Sequence, residues 1–137
     1  MKAIKLFSIA VLLTVSLGAF AQTKTGQVYL IRYTGYAGSA VNYSFYLDDK
    51  LVCKLKNKKF SIHDVPAGEH TISVVSGGLS NGKKSTPLKI TVVEGKTNFI
   101  NVVSTEAGYA VKLTTQEITK ASADPLLAKS TQKTDCQ

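Results

Sequence analysis

Only two cysteines occur in the chain, Cys53 and Cys136. That count excludes a framework of disulfides, and no Cys/His spacing fits a zinc site. The two histidines, His63 and His70, lie close together. No H-E-x-x-H, nucleophile elbow, glycine-rich phosphate loop or paired-carboxylate setting accompanies them. These absences weigh against an enzyme, and the reading predicts no cofactor. No nucleic-acid motif is present, so nucleic acid is not an expected partner. Past Ala21 no apolar run reaches the length of about 20 residues that a spanning helix needs.

What is present begins with the first residues. Met1-Lys2-Ala3-Ile4-Lys5 carries two positive charges, and Leu6 to Leu17 is an apolar run broken by Ser8, Thr14 and Ser16. Small residues follow at Ala19 and Ala21. This order of charged, apolar and A-x-A regions is that of a secretory signal peptide, with cleavage expected between Ala21 and Gln22. The expected location is therefore periplasmic or extracellular. A lipid anchor would need a cysteine where Gln22 stands, so none is expected. The remaining chain suits one domain.

Net charge is +8, and loss of Lys2 and Lys5 with the leader lowers it by two. Five lysines crowd one stretch: Lys50, Lys54, Lys56, Lys58 and Lys59. A basic face of this kind can meet anionic lipid or acidic polysaccharide. Lysines also guard edge strands against aggregation, and that is the favoured reading. Export would permit a disulfide. Cys53 lies in a strand pattern, however, and Cys136 in a polar tail. The expectation is a buried thiol at Cys53 and a mobile one at Cys136.

From Val28 to about Thr115 the hydrophobic period is two, not 3.6. "VYLIRY" (Val28 to Tyr33) is apolar on both faces except at Arg32 and reads as a central strand. "NYSFYLD" alternates Tyr43, Phe45 and Leu47 against Ser44 and Tyr46. The Asp48-Asp49-Lys50 turn then leads to "LVCKLK", which completes a hairpin. "FSIHDV" sets Phe60 and Ile62 on one face. "HTISVVS" turns Ile72 and Val74 inward, and "TPLKITVVE" does the same with Leu88, Ile90 and Val92. "TNFINVVS" and "GYAVKLTT" complete the series. About seven or eight short strands with turn chemistry between them predict a mostly β fold, a single antiparallel β-sandwich-like domain. Gln22 to Gln27 reads as a loose leader. "TTQEITKAS" predicts a short helix from about Gln116, and "ADPLLAKS" a second turn with Asp124 as N-cap and Pro125 first. The domain spans 28–129, and 130–137 reads as a disordered tail. No internal repeat and no second domain is visible.

Three groups of residues are candidates for function. His63, Asp64, Glu69 and His70 form the one cluster of titratable residues with catalytic potential. His63 points away from the Phe60/Ile62 face, and His70 is out of phase with Ile72 and Val74. If the turn folds tightly, both imidazoles face solvent on neighbouring strands, which gives the alternative reading of a small metal-dependent hydrolase. The simpler account is a wet turn made by Pro66 and Gly68. The loop "TGYAGSAVNY" mixes aromatic and small polar residues in the manner of binding loops. Tyr33, Tyr36 and Tyr43 are its candidate contacts for an envelope protein or glycan. Lys54, Lys56, Lys58 and Lys59 are candidate anion contacts.

Several motifs recur in a recognisable order: the exported start, "VYLIRY", "FYLDDKLVCKLKNKKF", "VPAGEHTISV", "LKITVVEGKTNFINV" and "AVKLTTQE". Over Val28 to Glu117 the chain resembles a bacterial family of small lipoprotein and periplasmic domains of unknown function. "P-A-G-x-H" is also similar to turns in PEGA-type and carboxypeptidase-regulatory-like sandwiches. The resemblance implies a β-rich fold and an envelope location, and brings no catalytic residue, cofactor or substrate. Gln22 stands where the lipoprotein members carry their lipidated cysteine. The expected function is that of an exported, non-enzymatic, envelope-associated domain that binds or scaffolds.

Overall fold

The two-residue period becomes strands because each stretch has one face to bury and turn residues at both ends. The computed structural model describes residues 22–35, 40–77, 83–107 and 110–136. The expected signal peptide, Tyr36 and the glycine-rich stretch 78–82 lie outside the described residues. In chain order the elements are β1 (Thr25–Arg32), β2 (Tyr43–Leu47), β3 (Lys50–Leu55), β4 (Lys59–Pro66) and β5 (Gly68–Ser76). Then come β6 (Leu88–Val92), β7 (Thr97–Ala107), β8 (Ala110–Ile118), α1 (Lys120–Ala128) and β9 (Thr131–Gln132). They form two sheets, ordered β8-β7-β1-β4-β9 and β3-β2-β5-β6. The fold is mostly β and sandwich-like, with one short helix near the C-terminus.

"VYLIRY" lies at the centre of the larger sheet, as its apolar character on both faces requires. Two pairings are parallel, β1 with β7 and β4 with β9. Parallel pairing needs a long connection between the strands. Those connections exist here because β7 and β9 return to the larger sheet only after the chain has passed through other elements. Between the sheets lie Val28, Leu30, Phe45, Leu55, Val65, Ile72, Val74, Ile90, Val92 and Ile100, all nearly inaccessible to solvent. β1 begins at Thr25, inside the segment expected to be loose. Gly26 is buried there, and a Cβ on it would lie 2.6 Å from Val93 O. Only glycine lets the start of β1 pass that close to the chain after β6.

The β2–β3 hairpin turns at Asp48 and Asp49, whose φ angles of 49° and 63° suit a tight primed turn. A bulge follows, since Phe45 pairs with Cys53 but Tyr46 with Leu51. The extra residue, Val52, reverses the alternation. Leu51 is consequently 48% exposed, while Val52 packs on the core.

The chain's end departs most from the expectation. β8 continues through Gln116 to Ile118, so no helix starts there. The N-cap is Thr119, not Asp124, and its Oγ1 accepts from Ser122 N at 3.2 Å. Pro125 sits inside the helix. Lys120 Nζ reaches Asp124 at 2.8 Å one turn on. The tail is ordered to Cys136. Thr131 N–H donates to Lys58 O and Lys133 N–H to Phe60 O, and Cys136 forms a disulfide with Cys53. Both expectations for this region, a disordered tail and two separate thiols, are therefore corrected. Backbone pairing with β4, which leaves no trace in hydrophobic pattern, holds the tail in place.

One cation crosses the core. Arg32, on the inner face of β1, is fully buried. Its Nη1 donates to Val41 O and Leu55 O, each at 2.6 Å, and its guanidinium lies 3.5 Å from the Tyr43 ring centroid. Burial pulls its pKa below the ordinary value, and neighbouring Tyr43 opposes that shift. The guanidinium therefore ties the central strand of one sheet to the edge strand of the other. Arg32→Ala would strand two carbonyls and open a cavity, and is expected to cost on the order of 3 kcal/mol. Arg32→Lys should recover only part of that, because an ammonium lacks the planar fork and the stacking face. Urea unfolding midpoints check both, and a cost below about 1 kcal/mol for Arg32→Ala would contradict the role.

Candidate functional site

Three polar constellations stand out, and the sequence placed residues near each. The first is the corner Pro66-Ala67-Gly68. β4 and β5 belong to different sheets, so this stretch moves the chain between layers and is not a hairpin turn. Gly68 has φ 135°, a conformation that side chains disfavour. Ala67 N–H donates to Lys24 O at 2.8 Å. His70 completes the corner. Its Nδ1 meets Asp48 Oδ2 at 2.5 Å and its Nε2 meets Pro66 O at 2.7 Å. Asp48 Oδ1 also accepts from Thr71 N at 3.0 Å. Both ring nitrogens face acceptors, so the doubly protonated imidazolium satisfies the site.

The charges follow from these contacts. The hydrogen bond to Asp48, aided by Pro66 O, raises the His70 pKa above its ordinary 6.5 despite partial burial. For Asp48 burial acts to raise the pKa, but the bonds from His70 and Thr71 outweigh it and hold the carboxyl below 3.8. A shallow cleft of about 230 Å³ lined by Asp48, Glu69, His70, Thr71 and Lys89 lies over the pair.

His63 has a different setting. The phase of β4 is the reverse of that expected for a solvent-facing imidazole. Ser61, fully buried, and Val65, 1% exposed, point inward, and His63 shares their side of the strand. Phe60 lies on the outer face, its ring 6.1 Å from that of Tyr29, which in turn lies 5.0 Å from Phe99, centroid to centroid. Burial depresses the His63 pKa, with Asp64 opposing. Ser61 Oγ lies 2.9 Å from His63 Nε2. The expectation that His63 and His70 share one surface is thus corrected, since they occupy different sheets. His63 instead stands beside Cys53 and Cys136. Their positions 83 residues apart in the chain hid that grouping.

The third constellation contains Tyr33. With Thr34, Asn101, Val102, Val103 and Ser104 it lines an open cleft of about 240 Å³. Asn101 Oδ1 is shielded from solvent and has no hydrogen-bond partner among the described residues. Tyr36 lies outside the described residues. Tyr43 is removed as a contact, because it is fully buried beneath Arg32. Lys54, Lys56 and Lys58 are exposed, on or just beyond an edge strand. Lys59 is half-buried, and its Nζ bonds Thr131 Oγ1 at 2.6 Å.

No family model matches the chain, and no curated protein does. The resemblance seen in the sequence stands on its quoted motifs.

The His70–Asp48 pair makes a prediction about pH. A raised histidine pKa contributes stability that is complete below 6.5 and lost as pH rises through the folded value. A lowered aspartate pKa contributes stability that is complete above 3.8 and lost as pH falls through the folded value. The advantage of the parent chain over His70→Gln should therefore be largest between 3.8 and 6.5 and shrink on both sides. Urea midpoints of the two chains across pH measure it, and parallel curves would contradict the assignment.

Proposed function

We propose that this protein is an exported, envelope-associated β-domain that binds or scaffolds and does not catalyse. The observation that carries the reading is the Cys53–Cys136 disulfide. Such bonds persist in oxidising compartments outside the cytosol, which agrees with the signal-peptide order of Met1 to Ala21. The resemblance to envelope domains of unknown function points the same way. The polar groups also favour binding over chemistry. Both nitrogens of His70 are engaged in holding a corner, and Arg32 is enclosed in the core.

The binding surface in this reading is the Tyr33 cleft. An aromatic ring at its rim supplies contact area at low entropic cost. Thr34 and Ser104 supply polar recognition, and they suit a partner rich in hydrogen-bonding groups, such as an envelope protein or a glycan. The exposed Lys54, Lys56 and Lys58 are better explained as protection of the β3 edge.

Two measurements test the proposal. Expression in a bacterium should yield an exported chain whose N-terminus is Gln22. An uncleaved chain retained inside the cell would contradict export. Tyr33→Ala should weaken capture of envelope partners by about tenfold or more, the scale of an aromatic anchor. Unchanged capture by a folded Tyr33→Ala chain would remove the cleft from the account.

A further inference from the structure

A crosslink needs two sulfurs, and this one has a third donor beside it. Cys53 Sγ, Cys136 Sγ and a ring nitrogen of His63 all lie within 4.8 Å of one another. Among the described residues this is the only such grouping of three metal-binding side chains. Each donor is placed by a separate part of the fold. Cys53 is on β3 and 1% exposed. His63 is on β4, with the buried Ser61 hydroxyl 2.9 Å from its Nε2. Cys136 is delivered by the tail, which Lys58 O and Phe60 O hold against β4 through hydrogen bonds independent of the disulfide.

The donor types are those of zinc and related d10 cations. Thiolate sulfur binds zinc at about 2.3 Å and imidazole nitrogen at about 2.0–2.1 Å. Three such donors around one tetrahedral ion stand roughly 3.5–3.8 Å apart, a spacing that follows from those bond lengths. Once the S–S bond is broken the two sulfurs must part to reach it, while all three donors already lie within 4.8 Å of one another. The Ser61 hydroxyl engages Nε2, which leaves Nδ1 as the nitrogen for a metal, as second contacts of metal-binding histidines commonly do. His63 Nδ1 has no hydrogen-bond partner among the described residues.

We infer that reduction of the Cys53–Cys136 disulfide creates a Cys2His site for a thiophilic d10 cation, with zinc(II) as the test ion. The chemistry balances with a dithiol as reductant. The dithiol gives two electrons and two protons to the S–S bond and becomes a disulfide. Two protein thiols result. Zinc then displaces those two protons, forming two thiolate bonds and one imidazole bond, and a fourth position remains for water or an incoming ligand. In the oxidised chain the sulfurs are bonded to each other and offer no thiolate. The same atoms therefore either crosslink the sheets or hold a metal. This inference does not depend on the Tyr33 cleft or on what binds there.

The experiment uses the full chain, reduced by a water-soluble phosphine in place of the dithiol and freed of it without air. Cobalt(II) serves as the optical probe and zinc(II) as competitor. The reduced chain should take up one cobalt per molecule with a thiolate-to-metal charge-transfer band, and zinc should abolish the band. The oxidised chain should show no band. His63→Ala should weaken zinc binding by about tenfold or more, the scale on which metal sites respond to loss of supporting groups. Cys136→Ser should lose the two-thiolate spectrum. Zinc should also slow alkylation of both thiols in the unsubstituted chain, a readout that needs no variant to fold. The inference is overturned by absence of both band and protection in the reduced chain. An equal band in the oxidised chain, or unchanged affinity in a folded His63→Ala chain, also overturns it.

Discussion

The path of the C-terminal segment is the constraint on which the arrangement turns. β8 lies at one edge of the five-stranded sheet and β9 at the other. The chain must cross β7, β1 and β4 to connect them. The inner face is filled by the core, so the crossing runs over the outer face, where α1 packs against β7. Ile31, on the outward phase of β1, is fully buried and lies outside the main core cluster. Beyond β9 the tail reaches β3, the edge strand of the other sheet, and the disulfide closes the sandwich there. A crosslink enclosing so long a stretch of chain restricts the unfolded ensemble strongly, by about 4–5 kcal/mol in the chain-entropy account.

Inside that frame two polar contacts do complementary work. Arg32 reaches from the central strand to the backbone of Leu55 in the opposite sheet and of Val41 before β2. Asp48 reaches from the β2–β3 turn to His70 and Thr71. Arg32 satisfies carbonyls that would otherwise be buried without partners, and Asp48 fixes a corner that stays more open to solvent. The grouping of metal-binding side chains lies at the crosslink and not at the conspicuous "VPAGEH" corner. The open surface beside Tyr33 is the one assigned to recognition in the proposed function.

Much of this was legible in the residues. The two-residue period gave the strands, the apolar character of "VYLIRY" its central place, and the Asp48-Asp49 pair the hairpin. The period also placed Tyr43 on one face with Phe45, and the structure buries both. What it could not give was which face of β4 looks inward. The larger sheet is partly covered on its outside, so Phe60 and Ile62 are apolar without belonging to the core, and Ser61 and His63 occupy the inner side. An apolar face covered from outside looks in sequence like a core face, so the alternation does not say which side of β4 looks inward. Leu51 alternates in sequence with Cys53 and Leu55 yet leaves their face, because a one-residue bulge leaves no mark in composition. The tail was invisible because it is held by backbone bonds and one sulfur pair, neither of which needs an apolar pattern.

The most direct test is the chemical state of the two cysteines in protein recovered outside the cell without reductant. Alkylation of free thiols, digestion and mass analysis of the peptides would read it. The account predicts a single peptide pair joined through Cys53 and Cys136, with no alkylated cysteine in the folded chain. Two fully alkylated, unlinked cysteines would contradict it.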